Sequence, residues 1–274
     1  RPRISVQFYI ESAGQSSLFW IMTTIVRTVS DLRKRVDKWH EQSQKVALVP
    51  TMGYLHNAHI ALIEAGKQIC SRTVVSIFVN PRQFGPKEDF EKYPRDEQRD
   101  VSLLAKHQVD LAFVPSPEEM YPLKFSTVVS VPSLTQTLCA KTRPNHFSGV
   151  ATVCAKLFNQ CRPDVAVFGE KDYQQLQMIR HLVKDLNIPT EICGVPTVRE
   201  TDGLAISSRN VYLSKQERAR AAQINVILAA TATRLTEGHE PAKELANALL
   251  QLNKKVGYTV VPSGTGRVRI GASD

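Results

Sequence analysis

The stretch KVALVPTMGYLHNAHIALIEAGKQICSRTVVSIFVN, residues 45–80, decides the fold class. A short apolar run, an amphipathic stretch and a second apolar run follow one another, which indicates a strand, a helix and a second strand of a parallel sheet. The alternation continues through DLAFVP at Asp110–Pro115, STVVSV at Ser126–Val131 and DVAVFG at Asp164–Gly169, with helix-like stretches between them. We therefore predict an α/β fold built on a doubly wound parallel sheet.

The pattern changes after Val198, where a loop containing Gly and Ser precedes two charged helical stretches. We predict one helix from Ser214 to about Leu235 and another from Pro241 to about Lys255. The predicted parts of the chain are an N-terminal extension of unknown role at residues 1–21, a Rossmann-like domain at residues 22–197 and a smaller C-terminal α+β domain at residues 198–274.

The charge balance narrows the classes of partner. The 274 residues carry 35 Lys and Arg against 26 Asp and Glu, a formal net charge of +9. The basic residues are scattered without a run of five, and aromatic residues make up only 7%, so we expect no nucleic-acid partner. No stretch approaches the ~20 consecutive apolar residues of a membrane span, so we expect no membrane association.

Cysteine usage points to a reducing compartment. The five cysteines are odd in number, widely spaced and without a CxxC pair, which favours free thiols in the cytoplasm and argues against a structural zinc site. These residues are Cys70, Cys139, Cys154, Cys161 and Cys193.

The first chemical motif is PTMGYLHNAH, Pro50–His59, which follows a predicted strand and opens a helix at about Asn57. His56 and His59 are three residues apart at the helix start, so they share a face beside unpaired backbone amides that favour anions. This arrangement suits phosphate binding. The alternative is two solvent-exposed histidines near a turn, and an HxxH pattern alone does not decide between them.

Two further motifs follow predicted strands, where a doubly wound sheet binds its ligands. In FVNPRQFGPKEDFEKYPR, Phe78–Arg95, the Gln83 amide suits a hydroxyl and a carboxylate together. The alternative there is a plain turn. In FGEKDYQQL, Phe168–Leu176, Lys171 offers a charge for phosphate and Asp172 an acceptor for ribose or Mg²⁺, unless Asp172 only caps a helix.

The fourth motif is VRETDGLAISSRNVYLS, Val198–Ser214, in which Ser207, Ser208 and Arg209 are consecutive. Two hydroxyls and a guanidinium can follow polyphosphate charge as it separates in a transition state. The alternative is a Ser-rich linker with a surface arginine.

These four motifs, together with RPNHFSGVATVCAKLF at Arg143–Phe158, resemble the pantoate–β-alanine ligase family (the pantothenate synthetases) of the HIGH-motif nucleotidylyltransferase superfamily. The likeness covers roughly Thr24 to Leu252, and NPRQFGP, GEKDYQQL and DGLAISSRN are its most distinctive parts. It implies an AMP-forming carbon–nitrogen ligase of pantothenate biosynthesis. Such an enzyme condenses (R)-pantoate with β-alanine through a pantoyl adenylate, uses ATP and Mg²⁺, and is a homodimer.

The resemblance also implies residue roles. Gln83 and Gln175 correspond to the pantoate-binding pair, Gln83 also to the β-alanine site, and Asp172 to a magnesium ligand beside the ATP phosphates. The residues implied in catalysis are His59, in the position usually called the proton donor, His56, Lys171, Ser207, Ser208 and Arg209. The residues implied in ATP binding are Met52, Gly53, Tyr54, Leu55, His56, Asn57, Ala58, His59, Gly169, Glu170, Lys171, Asp172, Val198, Ile206, Ser207, Ser208 and Arg209.

The chain departs from the family pattern at several positions. Ala58, Ala140 and Asn145 stand where the family generally has Gly, and the Ala58 methyl group is expected to crowd the nucleotide. The C-terminal domain is expected to be shortened after Tyr258. Cys139, at a family position near the site, is expected to pack there without a catalytic role.

Two other functions remain open at this point. A nucleotidylyltransferase that passes adenylate to a phosphate acceptor would need basic residues where this chain has Gln83 and Gln175. A homologue that only binds would take up ATP without turnover, because of its changed glycines and short C-terminus. Formation of AMP that requires both pantoate and β-alanine separates these alternatives from the ligase.

Overall fold

A parallel sheet forms the centre of the molecule. The structure, a computed structural model, describes residues 23–86, 88–134, 138–141, 143, 145–263 and 267–272. The strands of the sheet are β1 (Thr24–Val26), β2 (Val46–Thr51), β3 (Arg72–Ile77), β4 (Leu111–Phe113), β5 (Val165–Gly169) and β6 (Glu191–Val195). They lie in the order β1-β4-β3-β2-β5-β6, and every neighbouring pair is parallel.

Helices connect the strands and continue beyond them. Their bounds are α1 (Val29–Glu41), α2 (Asn57–Ile69), α3 (Glu97–Lys106), α4 (Pro117–Met120), α5 (His146–Cys161), α6 (Tyr173–Asp185), α7 (Lys215–Thr236) and α8 (Pro241–Val256). An antiparallel hairpin of β7 (Tyr258–Ser263) and β8 (Arg267–Ala272) follows α8. None of the helices within the described ranges is long and apolar enough to cross a membrane.

The sheet is covered on both faces, as the doubly wound prediction requires. In β2, Leu48 joins a buried cluster with residues of α1, α5 and α6, whereas its neighbour Val49 joins a second cluster with Ile63 of α2 and Leu104 of α3. Successive side chains of a strand point to opposite faces, so one apolar run supplies both cores. The α/β fold class is therefore confirmed.

The two long C-terminal helices form a separate small core. Helix α7 begins after Ser214, whose hydroxyl accepts from the backbone of Glu217 while the Glu217 carboxylate accepts from the backbone of Ser214. This reciprocal cap explains the predicted helix start. Ile227, Ala248 and Val256 form a cluster apart from the sheet. The cluster supports a division of the chain near residue 198, which stays a prediction.

The prediction of a strand at Ser126–Val131 is wrong. This segment lies in no strand, and the backbone amide of Val129 donates to the Thr152 hydroxyl of α5 at 3.0 Å. The edge beside β4 is taken by β1, in which Thr24 pairs with Leu111. The β-branched run at Ser126–Val131 therefore finds no free strand edge beside β4.

Three sequence-based expectations concern regions that the structure leaves untested. The N-terminal extension at residues 1–21 and the side chain of Cys139 lie outside what is described. The shortening of the C-terminal domain stays a prediction.

Candidate active site

A cleft opens at the carboxyl ends of β2, β3 and β5, where the strand order reverses between β2 and β5. A topological switch of this kind is the usual ligand-binding place in a doubly wound sheet. The empty space is about 1250 Å³, including the part open to solvent. The predicted residues that line it are Met52, His56, Ala58, His59, Gln83, Gly169, Lys171, Asp172, Gln175, Val198, Ile206, Ser207, Ser208 and Arg209.

The remaining predicted residues, Gly53, Tyr54, Leu55, Asn57 and Glu170, do not line the cleft. Gly53 and Tyr54 make the sharp turn after β2, with φ of +82° and +52°. The Leu55 side chain is fully buried in the core, and Asn57 is exposed at the helix start. Gly53, Tyr54, Leu55 and Asn57 shape the loop between β2 and α2, and any contact of Leu55 with a ligand would have to come from its backbone. Glu170 begins the short helix after β5.

A buried carboxylate that the sequence did not single out holds this loop. Asp100 of α3 is 1% exposed and accepts from the backbone amides of Tyr54 at 2.6 Å and Leu55 at 2.7 Å. A side chain at Gly53 would meet Asp100 Oδ2 at 3.0 Å. Asp100 therefore fixes the backbone that leads into His56.

His56 and His59 stack at the start of α2, with ring centroids 4.0 Å apart. His59 Nδ1 accepts from the backbone amide of His56 at 3.2 Å, so in the neutral ring the proton sits on Nε2. Burial, followed by the nearby Lys171 charge, lowers the pKa of His56 to about 4. Burial, followed by His56, lowers the pKa of His59 to about 3. Both imidazoles are therefore neutral near pH 7.

The alternative of two solvent-exposed histidines is wrong, because both rings are partly buried in the cleft. At the start of α2 the two histidines form a reciprocal cap, in which the His56 side chain faces the backbone amide of His59 and the His59 ring accepts from the backbone amide of His56.

Asn80 and Gln83 form the wall after β3. Asn80 is 1% exposed and caps the short helix Pro81–Gln83 through its Oδ1, which accepts from the backbone amide of Arg82. Its Nδ2 donates to Gln83 Oε1 at 3.1 Å, and Gln83 Nε2 lies 3.2 Å from Met52 Sδ. Asn80 thus caps the turn and lines the cleft as well.

Lys171 and Asp172 stand at the cleft mouth between β5 and α6. Lys171 Nζ lies 2.9 Å from Asp172 Oδ2, and both side chains are well exposed. Asp172 occupies the residue before α6 but makes no capping bond through its side chain, so the helix-cap alternative is wrong. Within the part of the chain that the structure describes, no three His, Cys, Asp or Glu residues converge on a possible metal site.

The motif at Ser207–Arg209 forms the opposite wall. Arg209 makes a two-pronged ion pair with Asp89, with both nitrogen–oxygen distances 3.0 Å, and lies 5.6 Å from the centre of the Tyr93 ring. Ser208 is 8% exposed and donates to the Tyr54 carbonyl at 3.4 Å. The segment is therefore anchored to two other parts of the chain, although Arg209 is exposed, as the alternative of a linker with a surface arginine predicted.

At the three positions where the family generally has glycine, the backbone of this chain adopts no conformation that requires glycine. None of Ala58, Ala140 and Asn145 has a positive φ. Ala58 is the second residue of α2 and lines the cleft, so its methyl group affects only the space left for a ligand. Ala140 is buried, and Asn145 is exposed before α5.

The apolar floor of the cleft was not predicted from the sequence. It consists of apolar side chains and one thiol at strand ends and on one face of α5, and only the helical spacing of the α5 residues signals a shared face. These residues include Phe78, Phe168, Val150, Cys154 and Leu157.

Comparison with known proteins gives one consistent result. A family model described as pantoate-beta-alanine ligase matches residues 24–263. A pantothenate synthetase from Caldicellulosiruptor bescii is 47% identical over 237 residues, covering 86% of this chain and 84% of that protein. A crystal structure of pantothenate synthetase from Thermus thermophilus has a TM-score of 0.82 and 46% identity, covering 86% of this chain and 84% of that one. A pantoate-beta-alanine ligase from Francisella tularensis, crystallised with beta-gamma ATP and beta-alanine, has a TM-score of 0.77 and 35% identity, covering 87% and 88%.

Proposed function

This chain belongs to the pantoate–β-alanine ligase family, and on that premise we propose which residues bind each substrate and how they act. Its reaction is the ATP-dependent condensation of pantoate with β-alanine, which gives pantothenate, AMP and pyrophosphate through a pantoyl adenylate. The relatives match over most of their own length, and the most distinctive motifs lie in one cleft.

The assignment of substrates rests on the two kinds of polar side chain that line the cleft. Gln83 and Gln175 contribute uncharged amides, whereas Lys171 and Arg209 contribute positive charge. Amides can bind the hydroxyl groups and carboxylate of pantoate, and cations suit the triphosphate. A transferase with a phosphate acceptor would need basic side chains where the two glutamines lie, so the geometry favours pantoate.

ATP is proposed to lie between the start of α2 and the Ser207–Arg209 wall. The first backbone amides of a helix attract phosphate, and the neutral His59 ring offers its Nε2 proton as a hydrogen-bond donor. His59 therefore stabilises phosphate charge by hydrogen bonding. Lys171 and Arg209, with the hydroxyls of Ser207 and Ser208, are proposed to stabilise the pyrophosphate as it leaves.

Adenylation needs no nucleophile from the protein. A pantoate carboxylate oxygen attacks the α-phosphorus and pyrophosphate leaves, after which the β-alanine amine attacks the acyl carbon and AMP leaves. Among the cysteines whose side chains the structure describes, Cys154 lines the cleft floor, and burial raises the pKa of its thiol to about 12. Its thiol stays protonated and takes no covalent part. Positioning and charge stabilisation are therefore the enzyme's contribution.

Magnesium is proposed to enter with ATP as part of the substrate. The described residues provide no cluster of metal ligands, so the phosphates would supply most of the coordination. Asp172 is the acidic side chain at the cleft mouth, and it would have to leave Lys171 in order to contribute an oxygen. ATP titrations with and without Mg²⁺ in Asp172→Asn test this role.

We also propose that the enzyme is a cytoplasmic homodimer joined through residues 22–197. The family resemblance supports the dimer, and the described free thiols Cys70, Cys154, Cys161 and Cys193 suit a reducing compartment. A monomer in sedimentation at micromolar concentration would count against the dimer.

The activity is tested by following AMP formation from ATP. AMP should form only when pantoate and β-alanine are both present, and pyrophosphate release should need pantoate alone. Binding of ATP without AMP formation would favour a homologue that only binds. Adenylate transfer to a phosphate compound would favour the other nucleotidylyltransferase activity.

The substrate assignment is tested with Gln175→Ala, which should raise the KM for pantoate and leave the KM for ATP unchanged. Gln177→Ala, two residues further along α6 and outside the cleft lining, is the matched control. A rise in the KM for ATP instead would assign Gln175 to the nucleotide site.

A further inference from the structure

Tyr121 lies outside the cleft lining but reaches the site through Asn80. It directly follows α4, and its hydroxyl donates to Asn80 Oδ1 at 2.8 Å. Its hydrogen bond connects a peripheral residue to two amides in the wall of the cleft.

Two backbone groups fix the orientation of the Asn80 amide. The amide of Arg82 can only donate, and it meets Asn80 Oδ1 at 3.3 Å. The carbonyl of Gly149 can only accept, and it meets Asn80 Nδ2 at 3.1 Å. The hydroxyl of Tyr121 adds the shorter of the two hydrogen bonds received by Oδ1.

The orientation of Asn80 decides what Gln83 offers to a ligand. Asn80 Nδ2 donates to Gln83 Oε1 at 3.1 Å, so that oxygen is occupied. The Gln83 NH₂ group, whose nitrogen lies 3.2 Å from Met52 Sδ, is left as the end that can donate to a substrate. An inverted amide would turn its oxygen toward the carboxylate or hydroxyl oxygens of pantoate.

Aromatic and cationic contacts hold Tyr121 against the same turn. The Arg82 guanidinium lies 5.0 Å from the centre of the Tyr121 ring and 4.7 Å from that of Phe125. The two rings are themselves 5.1 Å apart, edge to face. Burial raises the pKa of Tyr121, so its hydroxyl keeps the proton that it donates.

We propose that Tyr121 is a positioning residue for pantoate. Its hydroxyl holds Asn80, and through Asn80 it holds Gln83 with the amide donors facing the substrate. The effect on catalysis rests on the proposed contact between Gln83 and pantoate. The positioning itself rests only on the hydrogen bonds of these three side chains.

Tyr121→Phe removes the hydroxyl and keeps the ring. We expect the KM for pantoate to rise about three- to tenfold, as the loss of one buried neutral hydrogen bond implies, while the KM for ATP is unchanged. Tyr173→Phe removes the hydroxyl of a tyrosine that is 61% exposed and serves as the matched control. An unchanged pantoate KM in Tyr121→Phe, or equal rises for both substrates, would overturn the proposal.

A double-mutant cycle tests whether Tyr121 acts through Gln83. In a Gln83→Ala background, Tyr121→Phe should cause no further rise in pantoate KM. The same fold-change in both backgrounds would show that Tyr121 acts by another route and would overturn the proposal.

A readout without substrate separates this proposal from the assigned role of Gln83. If Gln83→Ala leaves pantoate KM unchanged, the pantoate contact is wrong, and side-chain amide hydrogen exchange measured by NMR decides the positioning. Faster exchange of the Asn80 and Gln83 amides in Tyr121→Phe than in the parent supports the proposal. Unchanged exchange rates overturn it.

Discussion

Lowering the pH should destabilise this protein through the two stacked imidazoles at the start of α2. An unfolded imidazole titrates near pH 6.5, whereas the folded pKa values are about 4 for His56 and about 3 for His59. Between these limits the unfolded chain binds more protons than the folded chain. The stabilising contribution of the two neutral imidazoles to the free energy of unfolding is therefore fully present above pH 6.5 and is lost as the pH falls toward 4.

The size of this loss of stability follows from the width of the pH range between the unfolded and folded pKa values. Each pH unit inside it is worth about 1.4 kcal/mol per imidazole, so a change from about pH 7 to about pH 5 should cost about 2 kcal/mol for His59. The same arithmetic gives a comparable loss for His56, which solvent screening reduces because its ring is less deeply buried. Other groups also titrate there, so the informative quantity is the difference between the parent and a variant that lacks one imidazole.

His59→Asn is the suitable variant, because an Asn side-chain oxygen can accept from the His56 amide as His59 Nδ1 does. We expect urea unfolding to show about 2 kcal/mol less destabilisation between about pH 7 and about pH 5 in this variant than in the parent. His181→Asn, at an exposed position of α6, controls for the loss of an imidazole. Equal pH dependence in the parent and in His59→Asn would refute the reasoning.

Three further outcomes are expected. Lys171→Ala should raise the activation barrier of pyrophosphate release by ~2.7–4 kcal/mol and change the KM for pantoate far less, because a charge aimed at separating phosphates acts in the transition state. An unchanged rate of pyrophosphate release would remove Lys171 from the mechanism. Ala58→Gly should lower the dissociation constant for ATP, because the Ala58 methyl group lines the cleft. An equal or higher dissociation constant would contradict the claim that this methyl group impairs the site. Gly149→Ala should lower the free energy of unfolding by ~1–3 kcal/mol, since its Cβ would overlap the Arg82 carbonyl. Gly85→Ala, whose nearest contact would be 3.6 Å away, is the control, and equal denaturation curves for these two variants would contradict the prediction.

The regular elements with strong local signals were predictable. The apolar runs of β2 and β3 and the cap at Ser214 act over a few residues, so the sequence alone specifies them. Ser126–Val131 carries an equally strong strand signal but lies in no strand. Whether such a run pairs depends on β1, a strand of three residues that is too short to give a pattern of its own.

The site divides in the same way. Lys171 was singled out because its charge suits phosphate and its motif follows a predicted strand, whereas the role expected of Gln175 came from the family resemblance. Asp100, Asp89 and Tyr121 were not found, because their roles come from contacts with distant segments: the hydrogen bond between Asp100 and Tyr54 spans 46 positions. A carboxylate that holds a loop and one that lies in solvent look the same in a sequence.

The position of β2 between β3 and β5 has a consequence for the chain as it leaves the ribosome. Strands β2 and β3 can pair early, but the bond from the Val46 amide to the Asp164 carboxylate spans 118 positions, and the Arg209 wall is translated later still. A nascent chain therefore presents the histidine pair long before the opposing cations. Since a ligand stabilises only the state that binds it, ATP should protect the finished polypeptide and give little help to one still in synthesis.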